Sequence, residues 1–187
     1  MEAKDEALTR VGRNVANFQK LEFALKIVIP TLQASGTLAQ INTQIEQNRK
    51  SLKKSTLGDL SECFHSSIFK THEEYEPIDT ITEPVFSFSI RREASVEFIK
   101  TFKSRWRKLV SQRNKLVHSQ LLEYNFNNDD DCKRLITTLD IQNLEVCAML
   151  KELADFESNR VKAVEKLLQV LDDDAHFEAV DTPPDGA

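Results

Sequence analysis

The sequence predicts an all-α protein, an up-and-down bundle of about five helices with one short extended or hairpin insertion near residues 70–91. Three observations carry that expectation. Apolar residues recur at steps of three and four through most of the chain, the period of a helix with one buried side. Gly and Pro number only four and five in 187 residues, too few for the many tight turns of a sandwich or barrel. Period-two alternation, the mark of a half-buried strand, is confined to Val85-Phe86-Ser87-Phe88-Ser89-Ile90.

The first helix spans Asp5 to Ile29, with Leu8, Val11, Val15, Phe18, Leu25 and Ile29 as its apolar stripe. Pro30 stops it, because proline cannot continue a helix interior. Glu22 interrupts the stripe, and an acid there sits at the edge of the buried face or serves a partner. Ser35-Gly36-Thr37 opens a second helix whose apolar side is Leu38, Ile41, Ile45 and Leu52, with the polar stretch from Gln44 to Lys54 facing water. Leu57-Gly58-Asp59-Leu60 reads as a break, followed by a short third helix through Leu60, Phe64 and Ile68. The polar loop from Glu73 to Pro77 and the extended run that follows form the insertion.

From Glu93 to about Leu122, Ile99, Phe102, Trp106, Leu109, Arg113 and Leu116 or Val117 return at helical spacing. Asn125 to Asp131, rich in Asn and Asp, is a turn. Helical periodicity resumes from Cys132 to Leu171 through Leu135, Leu139, Cys147, Leu150, Leu153, Val161, Val164 and Leu168, as one very long helix or as two with a break near residues 155–159. Residues 1–171 are thus expected to form one helical domain, and the acidic residues 172–187, with Pro183-Pro184, a disordered tail.

No stretch approaches the roughly 18 apolar residues needed to span a bilayer, and the opening MEAKDEALTR carries charge where a signal peptide would be apolar. A cytoplasmic protein without a membrane partner is expected. Cys63, Cys132 and Cys147 are odd in number and widely spaced, which suits small half-buried apolar residues better than disulfides or a metal site. The net charge of −5 is unevenly spread: residues 91–118 hold nine Lys/Arg against two Asp/Glu, whereas residues 119–187 hold six against 16. Such a basic block attracts phosphates locally or forms a solvated helix face. Arg107, Lys108 and Lys115 are its candidate RNA contacts. There is no HExxH, no CxxC pair and no Gly-rich phosphate loop, which speaks against metallohydrolase and nucleoside-triphosphate chemistry. His65, His72 and His176 have no partner pattern, and Ser66 and Ser67 beside His65 form no recognisable triad.

Arg113 falls on the apolar stripe one turn after Leu109, so its guanidinium is expected to be partly desolvated and to require a partner. Asn114 and His118, four residues apart, share a helix face. Arg113 and His118 are five apart, about 140° round the cylinder, so one helix presents them poorly to a single atom and a second copy of the helix would complete the set.

The segment Arg113-Asn114-Lys115-Leu116-Val117-His118 resembles the Arg-x4-His motif of the HEPN family of metal-independent ribonucleases, in which a polar residue commonly follows the Arg. Its place late in a long helix, after a basic approach, fits that family, and Asn17-Phe18-Gln19-Lys20-Leu21-Glu22 adds to the likeness. The resemblance implies a homodimer whose motifs face each other across one cleft and cut RNA without cofactor or metal. The ribose 2′-OH attacks the adjacent phosphate, leaving 2′,3′-cyclic phosphate and 5′-OH ends. In that scheme His118 exchanges protons, Arg113 stabilises charge on the phosphorane and Asn114 orients the phosphate or the His. Glu22 would hold Arg113. A toxin or antiviral defence effector, with an antitoxin or defence-system partner protein, is the biological setting implied. One departure stands out: where toxins of this family commonly carry a Tyr two residues after the His as an AMP acceptor, this chain has Gln120, and Tyr124 is too far along to replace it. Two alternatives remain, a non-catalytic HEPN-like module binding RNA, nucleotide or a protein partner, and a plain helical adaptor that dimerises through its long helices.

Overall fold

The computed structural model describes residues 2–69 and 86–174. Five helices account for most of them: α1 (Ala3–Val28), α2 (Leu38–Leu52), α3 (Leu57–Ile68), α4 (Val96–His118) and α5 (Asp129–Asp174). Two four-residue strands, β1 (Gln33–Gly36) and β2 (Phe86–Ser89), pair antiparallel with Gln33 opposite Ser89 and Gly36 opposite Phe86. The all-α expectation holds. The extended run near residue 86 pairs not with a neighbouring hairpin arm but with a segment fifty residues earlier, and the loop expected at 73–77 lies outside the described residues.

Two compact units divide the chain, residues 1–151 and 152–187, and α5 contributes to both. In the first unit the core is built from Leu21 and Leu25 of α1, Leu60 and Phe64 of α3, Trp106, Leu109 and Leu116 of α4, and Leu135, Leu139, Val146 and Met149 of α5, all nearly inaccessible to solvent. Within this unit α1 and α5 run parallel, since Arg13 bonds Asp140 and Asn17 bonds Asn143. By the same argument α4 and α5 are antiparallel: Lys108 reaches Glu145, whereas Gln112 carries the bond from Gln142. In the second unit α5 continues as one very long helix, the first of the two alternatives the spacing allowed, and Arg160 pairs with Glu157 one turn earlier. Residues 172–174 extend this helix, and the rest of the expected tail lies outside the described residues.

Three local expectations require correction. First, Leu57-Gly58-Asp59-Leu60 is not a break but the opening turn of α3. Thr56 caps it, its hydroxyl accepting from Asp59 N at 3.4 Å while the Asp59 carboxylate accepts from Thr56 N at 3.0 Å, a reciprocal capping box. Second, Ser35-Gly36 belongs to β1, and α2 begins only after Thr37, which forms a second capping box with Gln40. Third, the buried face of α1 is rotated from the apolar stripe. Leu8 is 45% exposed while Asn14 is fully buried, because Asn14 Nδ2 donates to the Leu139 carbonyl at 2.7 Å and to Gln142 Oε1 at 2.8 Å. A buried amide so satisfied costs little and ties α1 to α5. Of the cysteines, Cys132 is buried, Cys63 is half-buried and Cys147 is exposed, its Sγ 3.7 Å from Asn17 Nδ2.

Candidate functional site

The long helix that carries the motif is set by local rules at its start and by packing along its length. Ser95 caps α4 by accepting from Phe98 N at 3.2 Å, and Phe102, Trp106, Leu109 and Leu116 form its buried side. His118 is its last residue, four short of the expected end near Leu122, and a 3-10 turn from Gln120 to Glu123 follows. The chain therefore changes direction immediately after the motif.

Between α3 and α4 lies an open groove of about 670 Å³. Asn114 and His118 line it together, as their four-residue spacing requires, with Arg107 and Lys115 beside them and Ser61, Glu62 and Gly58 on the α3 side. Both Asn114 and His118 are exposed. Gly58 belongs to the first turn of α3, where free backbone N–H groups and the helix dipole favour anions. The last carbonyls of α4 act in the opposite sense, so the cationic side chains decide how well the groove takes a phosphate.

Arg113 does not line this groove. It is half-buried on the core side of α4, and its Nη1 donates to Asn114 Oδ1 at 3.1 Å. Among the described residues no carboxylate is within ion-pair distance of it. The expected partner, Glu22, is engaged elsewhere: its carboxylate accepts from Lys26 at 2.8 Å, one turn along α1. A local pair four residues apart forms without any tertiary positioning.

Each candidate RNA contact also has an acidic neighbour. Arg107 lies 3.8 Å from Glu62, Lys108 2.5 Å from Glu145 and Lys115 3.1 Å from Glu123. These cations are more than half exposed, and pairs of that kind are worth roughly 0–1 kcal/mol. A polyanion would exchange readily with the carboxylates. Lys108 stands apart, on the α5 side of the helix. There partial burial raises the Glu145 carboxyl, but hydrogen bonds from Lys108 and Gln112 outweigh it and leave the group below its ordinary range.

Gln120, where the resemblance would place a modifiable Tyr, is buried at 3% exposure. Tyr124 instead has the Arg134 guanidinium over its ring, 5.7 Å from the centroid. His65 proves to be a core residue: it packs against Phe102 and Trp106, and burial lowers its imidazole to about 4. Nothing in its sequence neighbourhood distinguishes it from a surface His except its place one residue after Phe64 on the α3 stripe. Ser66 and Ser67 both donate to the Cys63 carbonyl within their own helix. Among the described residues no three His, Cys, Asp or Glu side chains gather closely enough to hold a metal ion, and no helix is long and apolar enough to cross a membrane. The chain matches no family model, no curated protein and no solved structure.

Proposed function

We propose that the protein is a metal-independent endoribonuclease of the HEPN kind, acting as a homodimer. The observation that carries the reading is the groove at the end of α4, where Asn114 and His118 stand side by side with Arg107 and Lys115. An imidazole at the mouth of a cationic groove suits proton transfer to and from a ribose 2′-OH and its leaving 5′ oxygen. The guanidinium that stabilises the phosphorane is Arg113. Because it lies outside the groove of its own protomer, the complete site takes Arg113 and His118 from two facing motifs, each Asn114 bridging between the pair on its own helix. RNA is the substrate, held by exposed cations whose carboxylate partners it displaces. A toxin or antiviral effector in the cytoplasm, restrained by a partner protein, is the corresponding role. Gln120 takes AMP transfer out of that restraint.

A second reading rests on the placement of Arg113. Half-buried and bonded to Asn114, it also suits a non-catalytic HEPN-like module that binds RNA, nucleotide or protein through the same groove. Arg113→Ala and His118→Ala separate the two readings. Under the nuclease reading each abolishes cleavage of labelled RNA while circular dichroism and melting remain unchanged, and adding Arg113→Ala protein to wild type depresses activity below simple dilution. Under the module reading the wild type binds RNA and cuts none.

A further inference from the structure

The groove at the end of α4 does not stop at Arg107: the outward side of the helix carries the same chemistry back toward its start. With 100° between successive residues, Lys100 and Ser104 share one sector with the groove residues Arg107, Ser111, Asn114, Lys115 and His118. That sector lies within about 60° of the direction opposite to the buried Phe102, Trp106, Leu109 and Leu116. All seven residues are exposed. Each has an N–H or O–H to donate, none is acidic, and none is Phe, Tyr or Trp. From Phe98 to Leu122 the chain holds seven Lys or Arg and no Asp or Glu, and Glu97 in the first turn of α4 marks where the row ends. A helix face that only meets water mixes signs along its length, as α2 does where Arg49 pairs with Glu46. Glu62 and Glu123 approach the row from α3 and from the turn after α4, and both do so at the groove, beside Arg107 and Lys115. Lys100 and Ser104 lie beyond them.

From Lys100 to His118 the row is about 27 Å long. Such a length suits about four nucleotides of extended strand, at the lower end of the site sizes of single-strand surfaces. One straight row of donors matches one row of phosphates. The strand at the cut is unpaired, because the 2′ oxygen, the phosphorus and the leaving 5′ oxygen must come into line, an alignment that stacking within a duplex opposes. With no aromatic ring on which a base could stack, the row holds phosphates and leaves the bases outside, and phosphate contacts position a strand without reading it. We propose that the outward face of α4 between Lys100 and Arg107 is an extended RNA subsite, which tracks the phosphates of the strand leading into the groove without regard to sequence.

This inference rests on the reading of the groove as an RNA site, and not on cleavage there. The test uses the full chain and fluorescein-labelled 2′-O-methyl RNA 12-mers, which bind but cannot be cut because the 2′ oxygen is blocked. Anisotropy titrations at 50 to 200 mM salt compare wild type with Lys100→Ala, Lys115→Ala and Lys20→Ala. The last removes one exposed charge from α1, a helix whose buried side meets α4. Lys100→Ala should weaken binding roughly fivefold at the lowest salt and lower the slope of log affinity against log salt by about 0.7, the share of one phosphate contact on a single strand. Lys20→Ala should do neither, and two 12-mers of scrambled sequence should bind wild type alike. Loss of affinity in Lys115→Ala with none in Lys100→Ala would overturn the subsite and leave the groove reading standing. Equal losses in Lys100→Ala and Lys20→Ala would also overturn it, as would absence of binding by wild type, which removes the groove reading too. Cleavage of ordinary RNA is read separately: RNA left intact beside the expected binding results counts against the nuclease and not against the subsite.

Discussion

Replacing His65 by Leu should remove the larger part of the protein's acid sensitivity between pH 6.5 and about 4. His65 is 2% exposed, with its ring centroid 5.4 Å from that of Phe102 and 5.8 Å from that of Trp106. Neither ring nitrogen has a hydrogen-bond partner among the described residues. Burial lowers the imidazole from 6.5 to about 4; Glu62 on α3 opposes this, and Lys103 and Arg107 on α4 add to it. Because the folded value lies below the unfolded one, the unfolded chain takes up its proton first as pH falls. The stability carried by the neutral ring is thus complete above pH 6.5 and is lost progressively down to about pH 4. A gap of that size corresponds to at most about 3 kcal/mol, against a total of roughly 5–15 kcal/mol for an ordinary domain. The loss falls on the α3–α4 contact, which is also the floor of the groove. Urea unfolding of wild type and His65→Leu at pH 7, 6, 5 and 4 measures it directly. The variant should match or exceed wild type at pH 7, having no orphaned ring nitrogens, and should show a shallower decline below pH 6.5. Parallel declines in the two proteins would refute the reasoning.

Other expectations follow from the local geometry. Thr56→Ala removes the capping box of α3 and should cost about 1 kcal/mol in denaturant unfolding. It should also let the Asp59 carboxyl, now held low by its bonds with Thr56, rise toward its ordinary range in an NMR titration. Glu22→Ala breaks only the pair with Lys26, so thermal melts should register a loss of about 0.5 kcal/mol or less; a loss of several kcal/mol would show that Glu22 neutralises a buried cation after all. RNA affinity should fall as salt rises, and the Arg107→Ala, Lys115→Ala double variant should lower the slope of log affinity against log salt by about 1–2. An unchanged slope would take those two side chains out of the interface.

The helical body was legible because long amphipathic segments announce themselves: Phe64 and Ile68 of α3, and Trp106, Leu109 and Leu116 of α4, are buried as their spacing requires. What escaped depends on partners distant in sequence. Gln33–Gly36 has no alternation of its own and becomes a strand only through Phe86–Ser89. Asn14 ranks as a surface residue by polarity, and only the Leu139 carbonyl and Gln142 of α5 make it a core one. The Thr56–Asp59 capping box was visible as a spacing, but Gly58 between them read as a break. In the candidate site, the shared face of Asn114 and His118 followed from helix geometry alone, and so did the separation of Arg113 from His118. The Glu22–Lys26 pair was equally local, four residues apart, and was overlooked in favour of a long-range partner for Arg113.

The central claim is that the end of α4 cuts RNA by transesterification without metal, and the chemistry of the product ends tests it most directly. Purified protein is incubated with a 5′-labelled RNA in excess EDTA, and the fragments are treated with acid and phosphatase to distinguish cyclic from open phosphates. The account predicts fragments ending in 2′,3′-cyclic phosphate, with 5′-OH on the downstream piece, from the wild type and none from His118→Ala. Intact RNA at every protein concentration, or identical cleavage by His118→Ala, would contradict it.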